Sequence, residues 1–180
     1  MLKATIEVNQ ELRLQQLTES DAHWVFQAIA QNRTYLGRWL PFIASTQQVS
    51  DSLEFIQSLQ QNRLAQVFKI HYQGQGCGLI GFNSADSSNA KAEIGYWLCE
   101  DFQHKGIMTL ATEALLDYGF RELGFNRIQI KCALGNHASR GIPQRLGLIL
   151  EDIERQGILL SSGEFADFEI YSMLKQEWKK

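Results

Sequence analysis

Three groups of residues in this chain have the types and spacing that chemistry needs. The run Gln103-His104-Lys105-Gly106-Ile107-Met108-Thr109 lies between an apolar stretch ending near Cys99 and a helical pattern opening at Thr109. A strand, a tight glycine turn and a helix start make an anion cradle, because the N–H groups of a helix's first turn lack internal partners and carry the positive end of its dipole. A pyrophosphate binds there without a dedicated cation, and Gly106 lets the backbone come close. The plainer reading of Gly106 is a tight strand-to-helix connection. Glu93 stands in the middle of an apolar strand, where a charge is costly unless it faces water or a partner. Alternation puts Glu93, Gly95 and Trp97 on one face and Ile94 and Tyr96 on the other. Ser139 follows Asn136 by three residues, and both types are preferred at helix starts.

Other chemistries find little footing. His23, His71, His104 and His137 fall on different elements with no i,i+4 pair and no cysteine beside them, so no metal site is expected. Gly74-Gln75-Gly76-Cys77-Gly78 opens a strand and not a helix, which argues against a dinucleotide fingerprint. Cys77, Cys99 and Cys132 are widely spaced in apolar runs, the pattern of small buried residues in a reducing compartment. A net charge of -3 without any Lys/Arg run gives no basic face for nucleic acid. Met1 to Ala4 do not begin a signal peptide, and no run nears the roughly 20 apolar residues of a membrane helix. A soluble, cytoplasmic protein is expected.

At 180 residues, 44% hydrophobic and 21% charged, the chain can bury one substantial core, and a single domain over 1–180 is expected. Leu12, Leu14 and Leu17 suggest an opening strand, and Thr18 with Asp21 resembles a capping box before a first helix. Arg33 to Ile43, with Tyr35, Leu36, Trp39, Leu40, Pro41 and Phe42, is too irregular for a long helix and too apolar for an exposed loop. A second helix is read from Asp51 to near Asn62. Val67 to Tyr72 and Cys77 to Phe82 form a hairpin through Gly74-Gln75-Gly76, and Asn83 to Asn89 loops out. Ala92 to Cys99 is the next strand and Thr109 to Leu123 the next helix, with Ala111, Ala114, Leu115 and Tyr118 inward. Ile128 to Leu134 returns as a strand, 136–145 is a short helix, and Leu148 to Leu160 pairs with Phe165 to Leu174. The result is a mixed α/β sheet with helices on both faces.

The spacing Gln103-x-x-Gly106-x-Met108 resembles the Gln/Arg-x-x-Gly-x-Gly/Ala signature of the GNAT N-acetyltransferases, with Met108 departing from the final small residue. Ala92 to Leu98 before it, Asn136 to Arg140 after it, Tyr35 to Pro41 and Asp167 to Tyr171 look like the subfamily that acetylates the amino termini of ribosomal proteins. The resemblance covers nearly the whole chain. It implies the GNAT fold, a central, mostly antiparallel sheet flanked by helices, and acetyl-coenzyme A as cosubstrate, held by Gln103, His104, Lys105, Gly106, Ile107, Met108 and Thr109. Trp97 and Leu98, at the end of a splayed strand, would border pantetheine, with a backbone N–H there for the oxyanion. Asn136 would hold the coenzyme and Ser139 protonate the leaving thiolate.

In the wider family a carboxylate on the strand of Glu93 often points into the substrate cleft, which makes Glu93 the candidate base. Related enzymes use a glutamate farther on, at a position that falls near Ile158 here; Glu154 and Glu164 are the nearest acids. Leu148 stands where the family is commonly aromatic. Tyr35 and Trp39 would wall the acceptor cleft, though the segment Tyr35 to Phe42 reads equally as core. The acceptor implied is a protein amino terminus, alternatively a small amine such as a polyamine or aminoglycoside. A non-catalytic acetyl-coenzyme A binding module is a third reading. No nucleic-acid or membrane partner is expected, and the family often forms a homodimer.

Overall fold

The computed structural model describes residues 4–59, 61 and 64–179. Eight strands form one sheet: β1 (Thr5–Glu7), β2 (Leu12–Gln16), β3 (Val67–Tyr72), β4 (Gln75–Asp86), β5 (Lys91–Leu98), β6 (Arg127–Ala133), β7 (Ile149–Leu159) and β8 (Phe165–Leu174). Their spatial order is β1-β2-β3-β4-β5-β6-β8-β7. Every neighbouring pair is antiparallel except β5 with β6. That exception follows from the connection, because α5 (Ile107–Arg121) crosses over between the two strands and a crossover returns the chain parallel. The expected mixed, mostly antiparallel sheet with flanking helices is therefore observed.

Strand alternation sorts the core into two layers. On one face Ile80, Phe82, Ile94, Ile128, Ile130 and Cys132 pack against Ile107, Ala111, Leu115 and Phe120 of α5. On the other, Val67, Leu79 and Trp97 meet Val25 and Ile29 of α1 (Ala22–Gln31), Leu36 of α2 (Arg33–Gly37), Ile43 of α3 (Phe42–Ser45) and Ile56 of α4 (Val49–Leu59). Each buried Leu, Ile or Phe contributes about 1.5–3 kcal/mol. α6 (His137–Arg145) lies on the α5 side and contributes Ile142.

Several local expectations need correcting. β1 pairs with β2 beyond what the sequence predicts, since three residues of which only Ile6 is half-buried leave no pattern. β4 continues past Phe82 to Asp86 where a loop was expected; a bulge between Phe82 and Ser84 absorbs Asn83 and pairing then resumes. The hairpin turns at Gln73 (φ 50°) and Gly74 (φ 80°), so Gln75 and Gly76 already belong to β4. α5 starts two residues early, at Ile107. α4 starts at Val49 because the Asp51 carboxylate accepts from the N–H groups of Gln47 and Gln48. Its expected end near Asn62 lies outside the described residues. No helix among the described residues is long and apolar enough to cross a membrane.

Candidate active site

The loop from β5 to α5 is built of backbone. Glu100–Phe102 makes one tight helical turn, and then His104 (φ 62°) and Gly106 (φ 73°) both take the left-handed conformation, which turns successive amides toward one side. A Cβ at Gly106 would meet no protein atom within 4 Å, so its φ and not packing calls for glycine. None of the N–H groups of residues 104–109 has an acceptor among the described residues. Six donors thus converge at the amino terminus of a 15-residue helix, the arrangement that binds phosphate. His104, Lys105 and Gly106 are exposed there, with the Lys105 ammonium 5.0 Å from the Phe102 ring centre. Ile107 and Met108 turn inward instead: both are buried, and the Met108 side chain reaches a cavity.

That cavity exists because β5 and β6 separate. Their ladder runs from Lys91↔Arg127 to Ile94↔Ile130 and stops, while both strands continue, β5 to Leu98 and β6 to Ala133. The Cys99 N–H donates to the Cys77 carbonyl on β4 at 2.8 Å, so by strand alternation the Leu98 N–H points to the opposite edge, into the gap. Gln103 reaches back from the loop, its amide donating to the Leu98 carbonyl at 3.4 Å. The Trp97 ring is stacked on Trp24 at 6.4 Å within the core, leaving a small part of it in the cavity wall. The wedge opens into a cavity of about 990 Å³ that reaches both faces of the sheet, touching Met108, Ser139 and Ile142 on one side and Glu93, Gly95 and Lys131 on the other.

Glu93 lines this cavity at 24% side-chain exposure. The Gln129 amide donates to its carboxylate at 2.8 Å, and the Lys131 ammonium lies 4.0 Å away, itself paired with Glu154 at 2.7 Å. One oxygen of Glu93 is therefore held while the group still faces the space an acceptor would enter. Ile158 lines the same cavity and brings no carboxylate to it. Beside Glu93, the amide of Asn83 occupies the space a Cβ at Gly95 would need, 1.8 Å away; the bulge in β4 presents it there. Both Asn83 and Lys131 escaped the sequence reading.

Asn136 caps α6, its side-chain oxygen accepting from the Ser139 N–H at 3.2 Å. Ser139 is thus the third residue of the helix and not its cap. Its hydroxyl stands 3.3 Å from the Tyr96 hydroxyl and 3.4 Å from Cys132 Sγ. The segment after Arg33 serves both roles it could have: Ile43 is core alone, Trp39 and Phe42 line the cavity, and Tyr35, Leu36 and Leu40 do both, packing with the core while lining the cavity. Trp39 comes within 3.6 Å of a Cβ built at Gly135, and so spans toward the loop ahead of α6. Burial, aided by the Glu100 charge, pushes the Tyr35 phenol above its ordinary pKa, so Tyr35 stays a neutral hydroxyl.

Arg145 is a further residue that sequence spacing missed. From the last turn of α6 it donates to Thr109 Oγ1 at 3.2 and 3.0 Å, setting an exposed guanidinium beside the first turn of α5. Among the described residues no group of three His, Cys, Asp or Glu side chains is placed to hold a metal ion.

Comparison with known proteins is consistent with this geometry. Residues 11–149 match the family model described as an acetyltransferase (GNAT) domain. YdaF of Bacillus subtilis, provisionally named a ribosomal N-acetyltransferase, is 36% identical over 179 residues, 97% of each chain. Among solved structures, the ribosomal alpha-N-protein acetyltransferase RimL in complex with coenzyme A superposes with a TM-score of 0.91 at 29% identity, over 95% of this chain and 98% of that one. The microcin C7 self-immunity acetyltransferase MccE, in complex with acetyl-CoA and AMP, gives 0.86 at 32% identity, over 93% and 94%.

Proposed function

The chain belongs to the GNAT acetyltransferase family, and from that membership we propose that it carries acetyl from acetyl-coenzyme A to the α-amino group at the terminus of a protein, a ribosomal one by its likeness to RimL. The observation that carries the reading is the junction of two features: a cradle of unpartnered amides, and a wedge in the sheet that leads from it to a cavity holding Glu93 and Ser139. The amides of residues 104–109 take the pyrophosphate of acetyl-coenzyme A, and the open edge of β5 pairs with its pantetheine arm.

The acceptor nitrogen attacks the thioester carbonyl directly. An N–C bond forms, the C–S bond breaks, Glu93 accepts the amine proton directly or through water, and Ser139 protonates the departing thiolate; Glu93 then releases its proton to solvent and Ser139 regains one from it, so no net proton is consumed. The Leu98 N–H is aimed to meet the oxyanion. An α-amine near pKa 7.8 costs only about 1 kcal/mol to deprotonate at neutral pH, against about 4.6 kcal/mol for a lysine near 10.4. Glu93, the one carboxylate of the cavity on β5 beside the wedge, suits the first.

A second reading, acetylation of a small amine, is favoured by the likeness to MccE and by Asp51 and Glu54 in the cavity wall, which suit a cation. Release of free coenzyme A thiol, followed with a serine-initiated peptide, spermidine and an aminoglycoside, separates the two. We expect the peptide to be preferred; a preference for either small amine would move the protein to the second reading.

A further inference from the structure

We infer that Tyr96 is a positioning residue for Ser139, its hydroxyl replacing a backbone donor that Pro143 removes from α6. This rests on the role proposed above for Ser139. In an α-helix the carbonyl of Ser139 would accept from the N–H of residue 143, but that residue is Pro143, inside the helix, with no N–H to give. The carbonyl is not left orphaned. The Tyr96 hydroxyl donates to it at 3.0 Å, across the gap between β5 and β6 and 43 residues away in sequence.

The same phenol oxygen is an acceptor for the Ser139 hydroxyl at 3.3 Å, with Cys132 Sγ its alternative acceptor at 3.4 Å. With Asn136 holding the N–H, every polar group of Ser139 is fixed, two of them by Tyr96. Tyr96 stands two residues beyond the last paired position of β5, Ile94, where the strand has begun to part from β6. A tyrosine there is long enough to bridge the wedge, and its hydroxyl reaches the first turn of α6 on the far side. Burial, with Cys132 as a smaller cause, drives its pKa well above the ordinary tyrosine value. It therefore stays protonated and serves as a fixed donor and acceptor, not as a proton source. The Ser139 proton, whose resting acceptors are a neutral phenol and a neutral thiol, is free to pass to the far stronger acceptor that a nascent thiolate presents.

Four variants test this: Tyr96→Phe, Ser139→Ala, the two combined, and Tyr96→Phe with Pro143→Ala. Tyr96→Phe should lower kcat about tenfold, the worth of roughly one well-placed hydrogen bond, with KM for acetyl-coenzyme A within about twofold of the parent. The double variant Tyr96→Phe/Ser139→Ala should be no slower than Ser139→Ala alone. If Tyr96→Phe slows the Ser139→Ala enzyme as much as it slows the parent, the phenol acts independently and the inference is overturned. Undiminished turnover in Ser139→Ala would remove the acid role and this inference with it. A slow Ser139→Ala beside an unimpaired Tyr96→Phe would remove the inference alone.

Pro143→Ala separates support of the helix from support of the hydroxyl. It returns the missing N–H, so in the Tyr96→Phe background it should raise Tm and leave kcat low. Recovery of kcat there would mean that the phenol merely satisfies a carbonyl, which also overturns the proposal.

Discussion

The cradle and the acceptor cleft are built in opposite ways. Between β5 and α5 the donors are backbone amides, fixed by two left-handed residues and a helix start, and side chains matter chiefly by staying out of the way. On the other face of the sheet the groups proposed to react are side chains, Glu93 with Gln129, Lys131 and Glu154 around it, drawn from three strands and walled by aromatics of α2 and α3. A ligand part that never varies can be met by main chain, which any sequence with the right glycine provides. An acceptor that differs from enzyme to enzyme has to be met by groups that substitution can change. The two relatives compared above, one named for a ribosomal protein and one for microcin self-immunity, share the fold closely, as that division leads one to expect.

The sharpest break of the comparison would come at Glu93. Glu93→Gln keeps an oxygen for the Gln129 amide and removes the base, so kcat should fall about 100-fold, with KM for acetyl-coenzyme A little changed. A parental rate with a parental pH profile would make Glu93 structural. Next in size, Gly106→Glu forces a β-carbon into a left-handed position and adds negative charge at the cradle, and should raise KM for acetyl-coenzyme A at least tenfold while the fold survives, as circular dichroism would report. An unchanged KM would place the phosphates elsewhere. The smallest effect is expected from Arg145→Gln: an exposed cation near phosphate contributes about 0.2–1 kcal/mol, so KM should rise by no more than about fivefold, and less at high salt. A loss as large as that of Gly106→Glu would mean that side chains, not backbone, do the holding on this face too.

The same division decided what the sequence could disclose. The cradle was legible because its parts are consecutive, a strand, a glycine and a helix start, each with local chemistry. β8 was legible end to end, whereas β1 is three residues long and the last four residues of β4, Asn83 to Asp86, carry three polar side chains and none that is buried, so neither leaves a periodic trace. α2 and α3 span five and four residues, too short for a period of 3.6 to be read. In the site, the face of Glu93 followed from alternation, but its partners Gln129 and Lys131 and the link from Tyr96 to Ser139 on α6 depend on elements meeting across 36 to 43 residues. Pro143 was plain in the sequence. Its consequence, a carbonyl in want of a donor, became readable only once Tyr96 was seen to supply one.

The early end of the β5–β6 ladder also has a mechanical meaning. Within the sheet, β1 through β5 are laddered to the leaf of β6, β8 and β7 only from Lys91 to Ile94; beyond that, the two sides are held by the core they share against α5, by the bonds of Glu93 to Gln129 and Lys131, and by the tyrosine strap. The sheet thus has a seam that is closed by side chains and α5, not by backbone pairing. A cosubstrate lodged in that seam acts as a rivet, so the empty enzyme is the form that heat and proteases find soonest, and its lifetime in a cell would follow the supply of acetyl-coenzyme A.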